Sequence, residues 1–277
     1  MALTTILVHL ARDADAPARL AVAERLAKTH GAHLTALYLA RPLDLPAEIA
    51  GRGLSRAFLE TEAERVAESA RTLEEDFREQ ARRLGLSHDW IVADAEHLEA
   101  LRTHAHAADV IVVSRGPEQA LEDRVRLRLA EELVLVTGLP ILILPEGYAA
   151  PAVAPGRRVL VAWKPTREAV RALRDALPIL QRAERVLLTT VRPTEGDALA
   201  ALEITHYLER QSVAAETLDV EENADGVAAT LLAVAEAHGC DLVVAGAYGH
   251  SRLREVLFGG VTRDLFRSSR LPLLLSH

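Results

Sequence analysis

The sequence repeats itself at long range, and this repeat limits the fold more than any other feature. Asp109 and Asp241 stand 132 positions apart, and Pro140 and Pro272 have the same separation, so the two stretches align without a gap. Self-similarity at so long a period indicates two copies of one structural unit. The length of 277 residues also favours two domains over one.

The two halves open alike and are joined by a stretch with the composition of a linker. TTILVHLA (residues 4–11) opens the first half and RRVLVAWK (residues 157–164) the second, and each half reaches an Arg-Pro pair after its second apolar run. Proline, glycine and alanine dominate residues 146–156. We therefore predict one domain over residues 1–146, a linker over 147–156 and a second domain over 157–277. The first half has 19 extra residues, which we place in an irregular excursion or short extra helix over 43–58.

Apolar runs without polar alternation indicate the fold class. They cover residues 159–163, 185–191, 241–245 and 271–275, as expected for parallel strands with helices on both faces. Amphipathic stretches separate them, and the longest predicts a helix over 60–84 with Glu74–Arg78 and Glu79–Arg83 pairs on its polar face. Each half is therefore predicted to be an α/β open sheet built from βαβ units.

The last apolar run of each half is short and intensely hydrophobic. These runs cover residues 140–144 and 272–275. Left as open sheet edges they would template aggregation. We therefore expect them to pair with each other or with another chain.

A glycine pattern follows the run 241–245 of the second half. Gly246 and Gly249 are followed, after nine more residues, by Gly259 and Gly260. Glycine lets the backbone approach a ligand closely, and the N–H groups at a helix start attract anions, so the pattern predicts a phosphate loop. At the offset of 132, the first half places Ser114, Pro117, Leu127 and Arg128 at these positions. We therefore predict nucleotide binding in the second domain only.

This glycine spacing, placed after the fourth strand of a small α/β domain, resembles the universal stress protein (UspA) family. Residues 163–178, 246–263 and 271–277 look like the corresponding parts of tandem-type members, while the first half resembles the family at fold level only. The resemblance implies a stress-response protein with an α/β fold. It further implies two tandem open parallel-sheet domains of the Rossmann-like, adenine-nucleotide-binding type, which form a pseudo-dimer.

The resemblance also implies a ligand and a set of site residues. Some relatives bind ATP, and there the loop glycines and the helix start hold the ribose and phosphates, while residues of the first two strands touch the nucleoside. Carried over by position, this implies an adenine nucleotide, with Mg²⁺ accompanying ATP, held by Ala162, Lys164, Val191, Gly246, Gly249, His250, Gly259, Gly260, Val261 and Thr262.

Two positions depart from the family pattern. The usual aspartate after the first strand is Lys164 here, which removes an acceptor for ribose hydroxyls but supplies a point charge for a phosphate. The usual serine or threonine after Gly259 is Gly260, and Thr262 is the next residue with a hydroxyl.

Composition and charge limit the partners and the cellular location that the sequence predicts. A net charge of −8 and a pI near 5.8 argue against nucleic acid as a partner. The sequence shows no apolar leader and no run long enough to span a bilayer, so we predict no membrane partner and a cytoplasmic location. His97, His104 and His106 lie close together, but no cysteine or paired carboxylate completes a metal set, so no metal site is predicted.

The sequence favours a non-enzymatic role, with an unidentified protein partner reading the nucleotide state. It contains no nucleophile elbow, no Walker lysine–serine pair and no evident general base, although slow ATP hydrolysis stays open. Two alternatives also stay open: a module that binds a non-nucleotide ligand in the first-domain cleft, and a ligand-free scaffold. Whether the chain also forms a homodimer is left open.

Overall fold

A computed structural model describes residues 2–40, 56–115, 121–247 and 260–277. Its contacts divide the chain into two compact units. The N-terminal unit comprises Leu3–Thr137 with Glu146–Val153, and the C-terminal unit comprises Ala154–His277 with Gly138–Pro145. The segment 138–145 thus belongs with the second half of the chain.

The N-terminal unit contains a four-stranded parallel sheet in the order β3-β2-β1-β4. Its strands and helices alternate along the chain as β1 (Thr5–Leu10), α1 (Ala16–His30), β2 (His33–Leu39), α2 (Arg56–Leu84), β3 (His88–Ala93), α3 (His97–Ala105), β4 (Val110–Ser114) and α4 (Leu121–Val136).

The C-terminal unit contains strands in the order β5-β10-β9-β6-β7-β8. Its strand pairs are parallel except for β5 and β10, which are antiparallel. The α/β class predicted from the apolar runs, with an open parallel sheet in each half, is therefore confirmed. The elements are β5 (Ile141–Leu144), β6 (Arg158–Ala162), α5 (Arg167–Leu180), β7 (Arg185–Val191), α6 (Glu195–Arg210), β8 (Ala215–Val220), α7 (Val227–Ala237), β9 (Leu242–Gly246), α8 (Gly260–Ser268) and β10 (Leu273–Ser276).

The aspartates that define the sequence repeat have the same structural role in both units. The Asp109 carboxylate accepts hydrogen bonds from the backbone N–H groups of Thr4 (2.7 Å) and Thr5 (2.9 Å). The Asp241 carboxylate accepts from the N–H groups of Gly156 and Arg158, both at 3.0 Å. Each carboxylate thus accepts hydrogen bonds from backbone N–H groups at the start of a strand, β1 in one unit and β6 in the other. The offset of 132 is thus a structural repeat.

The two short apolar strands pair with each other, as predicted. Leu273 lies opposite Ile143, and Leu275 opposite Ile141. All residues of β5 and β10 are buried. The pairing removes the exposed edges that these sequences would otherwise present.

Helix α2 differs from its prediction at its N-terminus. It begins at Arg56, so the assignment of residues 56–58 to an irregular excursion is wrong, while residues 41–55 lie outside the described part of the chain. Its apolar stripe is buried only from Ala70 onward, and Ala63 is exposed. The predicted ion pairs form, with nitrogen–oxygen distances of 2.7 Å for Arg78–Glu74 and 3.8 Å for Arg83–Glu79.

Candidate functional site

A cleft of about 670 Å³ lies at the carboxyl ends of β6, β7 and β9 in the C-terminal unit. Open α/β sheets bind ligands at this edge, and the volume is in the usual range for small-molecule sites. Gly249, His250 and Gly259 lie outside the described residues. The other residues proposed for the site all line the cleft, namely Ala162, Lys164, Val191, Gly246, Gly260, Val261 and Thr262.

Four helices begin at this cleft. Thr166 and Thr194 are the N-cap residues of α5 and α6, and Val227 and Gly260 are the first residues of α7 and α8. All four residues line the cavity. A helix start presents unpaired N–H groups and a partial positive charge, so their convergence favours an anionic ligand.

At two of these helix starts, side chains already accept hydrogen bonds from backbone N–H groups. The Thr166 hydroxyl accepts a hydrogen bond from the backbone N–H of Ala169 at 3.3 Å. Thr194 and Asp197 form a capping box, in which the Thr194 hydroxyl accepts from the Asp197 N–H at 3.2 Å and the Asp197 carboxylate accepts from the Thr194 N–H at 2.9 Å. Helix α7 follows Gly226, and no side chain of the described residues caps it, so its first N–H groups remain donors for a ligand.

Gly246 ends β9 directly against the first turn of α5. A Cβ placed on it would lie 2.5 Å from the backbone nitrogen of Ala169 and 2.6 Å from the carbonyl carbon of Glu168. Any larger residue would therefore collide with backbone atoms, which have little freedom to move. Close backbone packing alone is sufficient to require glycine here.

Gly260 and Thr262 occupy the facing wall, at the start of α8. Among the described residues, a Cβ on Gly260 would meet nothing within 4 Å. The Thr262 hydroxyl donates to the carbonyl of Gly246 at 3.4 Å, a long hydrogen bond that ties α8 to the end of β9. The hydroxyl that the sequence suggested for a phosphate is thus directed at the backbone in this structure.

Positive charge is present at the mouth of the cleft. Lys164 follows β6 and is exposed. Arg192 follows β7 and pairs with Glu222 at 2.9 Å. The backbone of Arg192 has φ of 50°, in the left-handed region that residues other than glycine rarely adopt. Such backbone strain is concentrated at functional sites.

The carboxylates of the cleft are held in their charged forms. Hydrogen bonds from the backbone and hydroxyl of Thr194 lower the pKa of Asp197 below its ordinary value. Burial alone would raise the pKa of Glu168, but its own backbone N–H and the neighbouring Arg167 outweigh burial and lower it. Neither group is suited to take up a proton near neutral pH.

Three buried polar groups on the cleft walls have no hydrogen-bond partner within the described part of the chain. They are the hydroxyls of Thr189 and Thr190, on β7, and the indole Nε1–H of Trp163. Each of these residues is at most 5% exposed. Because an unsatisfied buried polar group is costly, their presence here points to partners supplied by a ligand or by water.

At the equivalent edge of the N-terminal unit, one buried arginine bonds several groups that end or follow the strands. Arg19 is 3% exposed, and its guanidinium pairs with Asp13 at 2.6 Å. It also donates to the Ser114 hydroxyl at 2.5 Å and to the His9 carbonyl at 2.7 Å. Ser114 is the counterpart of Gly246, so a side chain bonds to the residue that corresponds to the loop glycine.

Sequence reasoning missed several cleft residues, and local patterns could have revealed some of them. Thr194 and Asp197 have the spacing of a capping box and mark a helix start after the second strand. The unpaired hydroxyls of Thr189 and Thr190 carry no such pattern, because their isolation depends on how β7 packs.

Of the histidines that lie close together in the sequence, His97 contacts a histidine of another element. His97 is buried, and its Nδ1 lies 2.9 Å from Nε2 of His9. Over residues 2–40, 56–115, 121–247 and 260–277, no three histidine, cysteine, aspartate or glutamate side chains come together to hold a metal ion. Within the same ranges, no helix is both long and apolar enough to cross a membrane.

One family model matches the part of the chain that carries the cleft. The family model described as "Universal stress protein family" matches residues 156–277. No curated protein sequence gives a significant match to the chain.

Solved structures resemble the chain along nearly its whole length. A universal stress protein from Archaeoglobus fulgidus DSM 4304 matches with a TM-score of 0.74 and 13% identity, over 98% of this chain and 95% of that one. A putative universal stress protein from Pseudomonas aeruginosa UCBPP-PA14 matches with a TM-score of 0.59 and 17% identity, over 99% and 93%. The cytoplasmic domain of a prokaryotic cation chloride cotransporter matches with a TM-score of 0.51 and 12% identity, over 99% and 95%.

At these identities the structural matches show the fold alone. Residues 156–277, which carry the cleft, match the model of the universal stress protein family.

Proposed function

We propose that the C-terminal unit binds ATP or a related adenine nucleotide, with Mg²⁺ accompanying the nucleotide. The chain would act as a non-enzymatic stress-response protein, and a protein partner would read its nucleotide state. One observation carries the proposal: four helix N-termini meet at a cleft of about 670 Å³ that also presents Lys164 and unpaired buried hydroxyls.

The cleft offers a separate environment for each part of a nucleotide. The starts of α7 and α8 and the ammonium of Lys164 suit the phosphates, because all of them present positive charge or N–H donors. Ala162 and Val191 give the cleft an apolar wall beside the hydroxyls of Thr189 and Thr190, which suits a nucleoside.

The chemistry of the cleft supports binding without catalysis. A general base works best when its pKa is near the working pH. The pKa values of Asp197 and Glu168 are both lowered, so neither carboxylate would abstract a proton from water efficiently.

The N-terminal unit is excluded from the proposal because Arg19 occupies its corresponding edge. Its guanidinium bonds Asp13, Ser114 and the His9 carbonyl, so these groups are not available to a nucleotide. We propose one nucleotide per chain.

A ligand-free scaffold is the second candidate, and one observation favours it. The contact between Gly246 and Ala169 would require glycine whether or not a nucleotide binds, so this glycine is not by itself evidence for a ligand. If the C-terminal unit binds a nucleotide, the charge of Lys164 should affect ATP affinity; if the chain is a ligand-free scaffold, ATP should not bind at all.

The lysine content of the chain allows a matched test. Lys164 and Lys28 are its two lysines, and Lys28 lies in the last turn of α1 in the N-terminal unit. ATP with Mg²⁺ is titrated calorimetrically into wild type, Lys164→Glu and Lys28→Glu. Loss of a charge-assisted contact and its replacement by repulsion should weaken ATP binding by about tenfold or more in Lys164→Glu only.

Amine acetylation provides a second measurement on the unmodified protein. ATP should slow acetylation of Lys164 and leave Lys28, the internal control, unchanged. If ATP gives no heat at millimolar concentration and protects neither lysine, nucleotide binding is wrong and the scaffold is favoured.

A further inference from the structure

A second cavity lies on the C-terminal unit, along helices α5 and α6. This α5–α6 groove has a volume of about 720 Å³. The side chain of Gln181, after α5, donates to the carbonyl of Gln211, after α6, at 3.0 Å and so ties the ends of the two helices together. The groove is lined by Trp163, Pro165, Thr166, Arg167, Val170, Arg174, Ala200, Glu203, Ile204, His206, Tyr207 and Arg210.

Two arginines that line this groove, Arg174 and Arg210, carry unpaired positive charge within the described residues. Ion pairs with glutamates neutralise arginines elsewhere, as in Arg185–Glu216 at 2.6 Å. Arg174 and Arg210 have no carboxylate partner within the described residues, although both are exposed and the chain carries a net charge of −8. Concentrated unpaired positive charge on an acidic protein is a feature of anion-binding surfaces.

The guanidinium of Arg174 lies against an aromatic ring and beside apolar side chains of the groove. Its guanidinium carbon lies 5.7 Å from the ring centre of Tyr207, a cation–π contact between the two helices. Val170 and Ile204 line the groove beside this contact. A ligand here would meet a fixed guanidinium and apolar side chains together.

A buried donor lies on the wall that the groove shares with the nucleotide cleft. Trp163 lines the groove and is 5% exposed. Its backbone N–H donates to the Thr189 carbonyl at 2.8 Å, which fixes its position. Its indole Nε1–H has no acceptor within the described part of the chain. An acceptor on a bound molecule would satisfy this group.

We propose that the α5–α6 groove is a second ligand site, distinct from the nucleotide cleft, for a small phosphorylated molecule with a flat apolar portion. The forked guanidinium of arginine matches the geometry of phosphate oxygens, and Arg174 and Arg210 would hold that group. The two arginines outnumber Glu203, the carboxylate that lines the groove, which favours a phosphate dianion over a single carboxylate. The flat portion would pack on Val170, Ile204 and Tyr207.

Phenyl phosphate is the probe for this proposal, with phenol and inorganic phosphate as its separate halves. Each is titrated calorimetrically into wild type, the variant Arg174→Gln/Arg210→Gln, and the control Arg182→Gln/Arg270→Gln. The control removes the same charge from exposed arginines of the same unit outside the groove. We expect phenyl phosphate to bind wild type and the control alike, and the groove variant about tenfold or more weakly.

Two further measurements assign the site. Lys164→Glu should change phenyl phosphate binding by less than about threefold, because that lysine lines the other cavity. In a ¹⁵N–¹H spectrum, phenyl phosphate should move the indole signal of Trp163 and leave that of Trp90, in the N-terminal unit, in place; because Trp163 lines both cavities, the arginine and lysine variants decide between the groove and the cleft.

Three results would overturn the proposal: no binding to wild type at millimolar concentration, equal binding by the groove variant, or loss of binding in Lys164→Glu. The last would place the probe in the nucleotide cleft. Because the probe lacks a nucleoside, failure here leaves the ATP experiment unaffected, and failure of ATP to bind leaves this site unaffected.

Discussion

Gly246 and Ala169 meet backbone to backbone, since a Cβ on Gly246 would lie only 2.5 Å from the Ala169 nitrogen. Real Cβ atoms essentially never come within 3.0 Å of a heavy atom outside their own stretch of chain. The end of β9 therefore rests on the first turn of α5. This contact fixes one wall of the cleft and gives Gly246 a structural role that precedes any ligand.

Gly246→Ala should destabilise the C-terminal unit, because β9 and α5 must separate to admit a methyl group. We expect the free energy of unfolding to fall by about 1–3 kcal/mol. Gly260→Ala is the matched control, since its methyl group enters open space at the start of a helix. It should leave stability unchanged or raise it by up to about 1 kcal/mol. Urea unfolding followed by circular dichroism measures both, and equal midpoints would refute the packing role.

Gly260→Ser should strengthen nucleotide binding if the proposed site is correct. The added hydroxyl would stand at the start of α8, on the cleft wall, where no described residue lies within 4 Å of the new Cβ. One new hydrogen bond to a phosphate should raise ATP affinity by about fivefold, equivalent to about 1 kcal/mol. Calorimetric titration measures the change against Gly260→Ala, and weaker binding than in that control would place the phosphates elsewhere.

The buried pair Arg19–Asp13 should be strongly coupled in the stability of the N-terminal unit. Removing either partner leaves a buried charge alone, so Arg19→Met and Asp13→Asn should each cost about 3–5 kcal/mol. The double variant should cost clearly less than the sum of the two, because it strands no charge. A double-mutant cycle of urea unfolding gives the coupling, and additive effects would mean that the pair is solvated in solution.

The repeat was predictable because its evidence lies in the order of residues. Asp109 and Asp241 mark equivalent positions in the sequence, and their hydrogen bonds to the strand starts are equivalent in the structure. The same holds for the paired apolar strands, whose exposed edges would be unfavourable whatever the details of packing.

The chemistry of the two clefts was less predictable because it depends on contacts between distant residues. Arg19 reaches Ser114, which is 95 positions away, and nothing local marks either residue as a partner. The need for glycine at position 246 likewise arises from α5, about 80 residues earlier in the chain. Spacing predicted a glycine loop, but packing decides what each glycine does.

Glu24 should make the stability of the N-terminal unit depend on pH. It lies on α1, is 6% exposed, and its Oε1 has no hydrogen-bond partner within the described residues. Burial raises its pKa from 4.5 to about 7, although Arg25 and Arg83 oppose the shift. Between these two pH values the folded protein keeps a proton that the unfolded chain has lost.

The free energy of unfolding should therefore fall as the pH rises from about 4.5 to about 7, and level off above. Glu24→Gln cannot ionise, so it should lose this part of the pH dependence and become more stable than wild type at pH values above 7. Below 4.5 the two proteins should differ little, because both side chains are then neutral. Urea unfolding of both proteins across this range checks the prediction, and parallel curves would show that Glu24 is charged in the folded state.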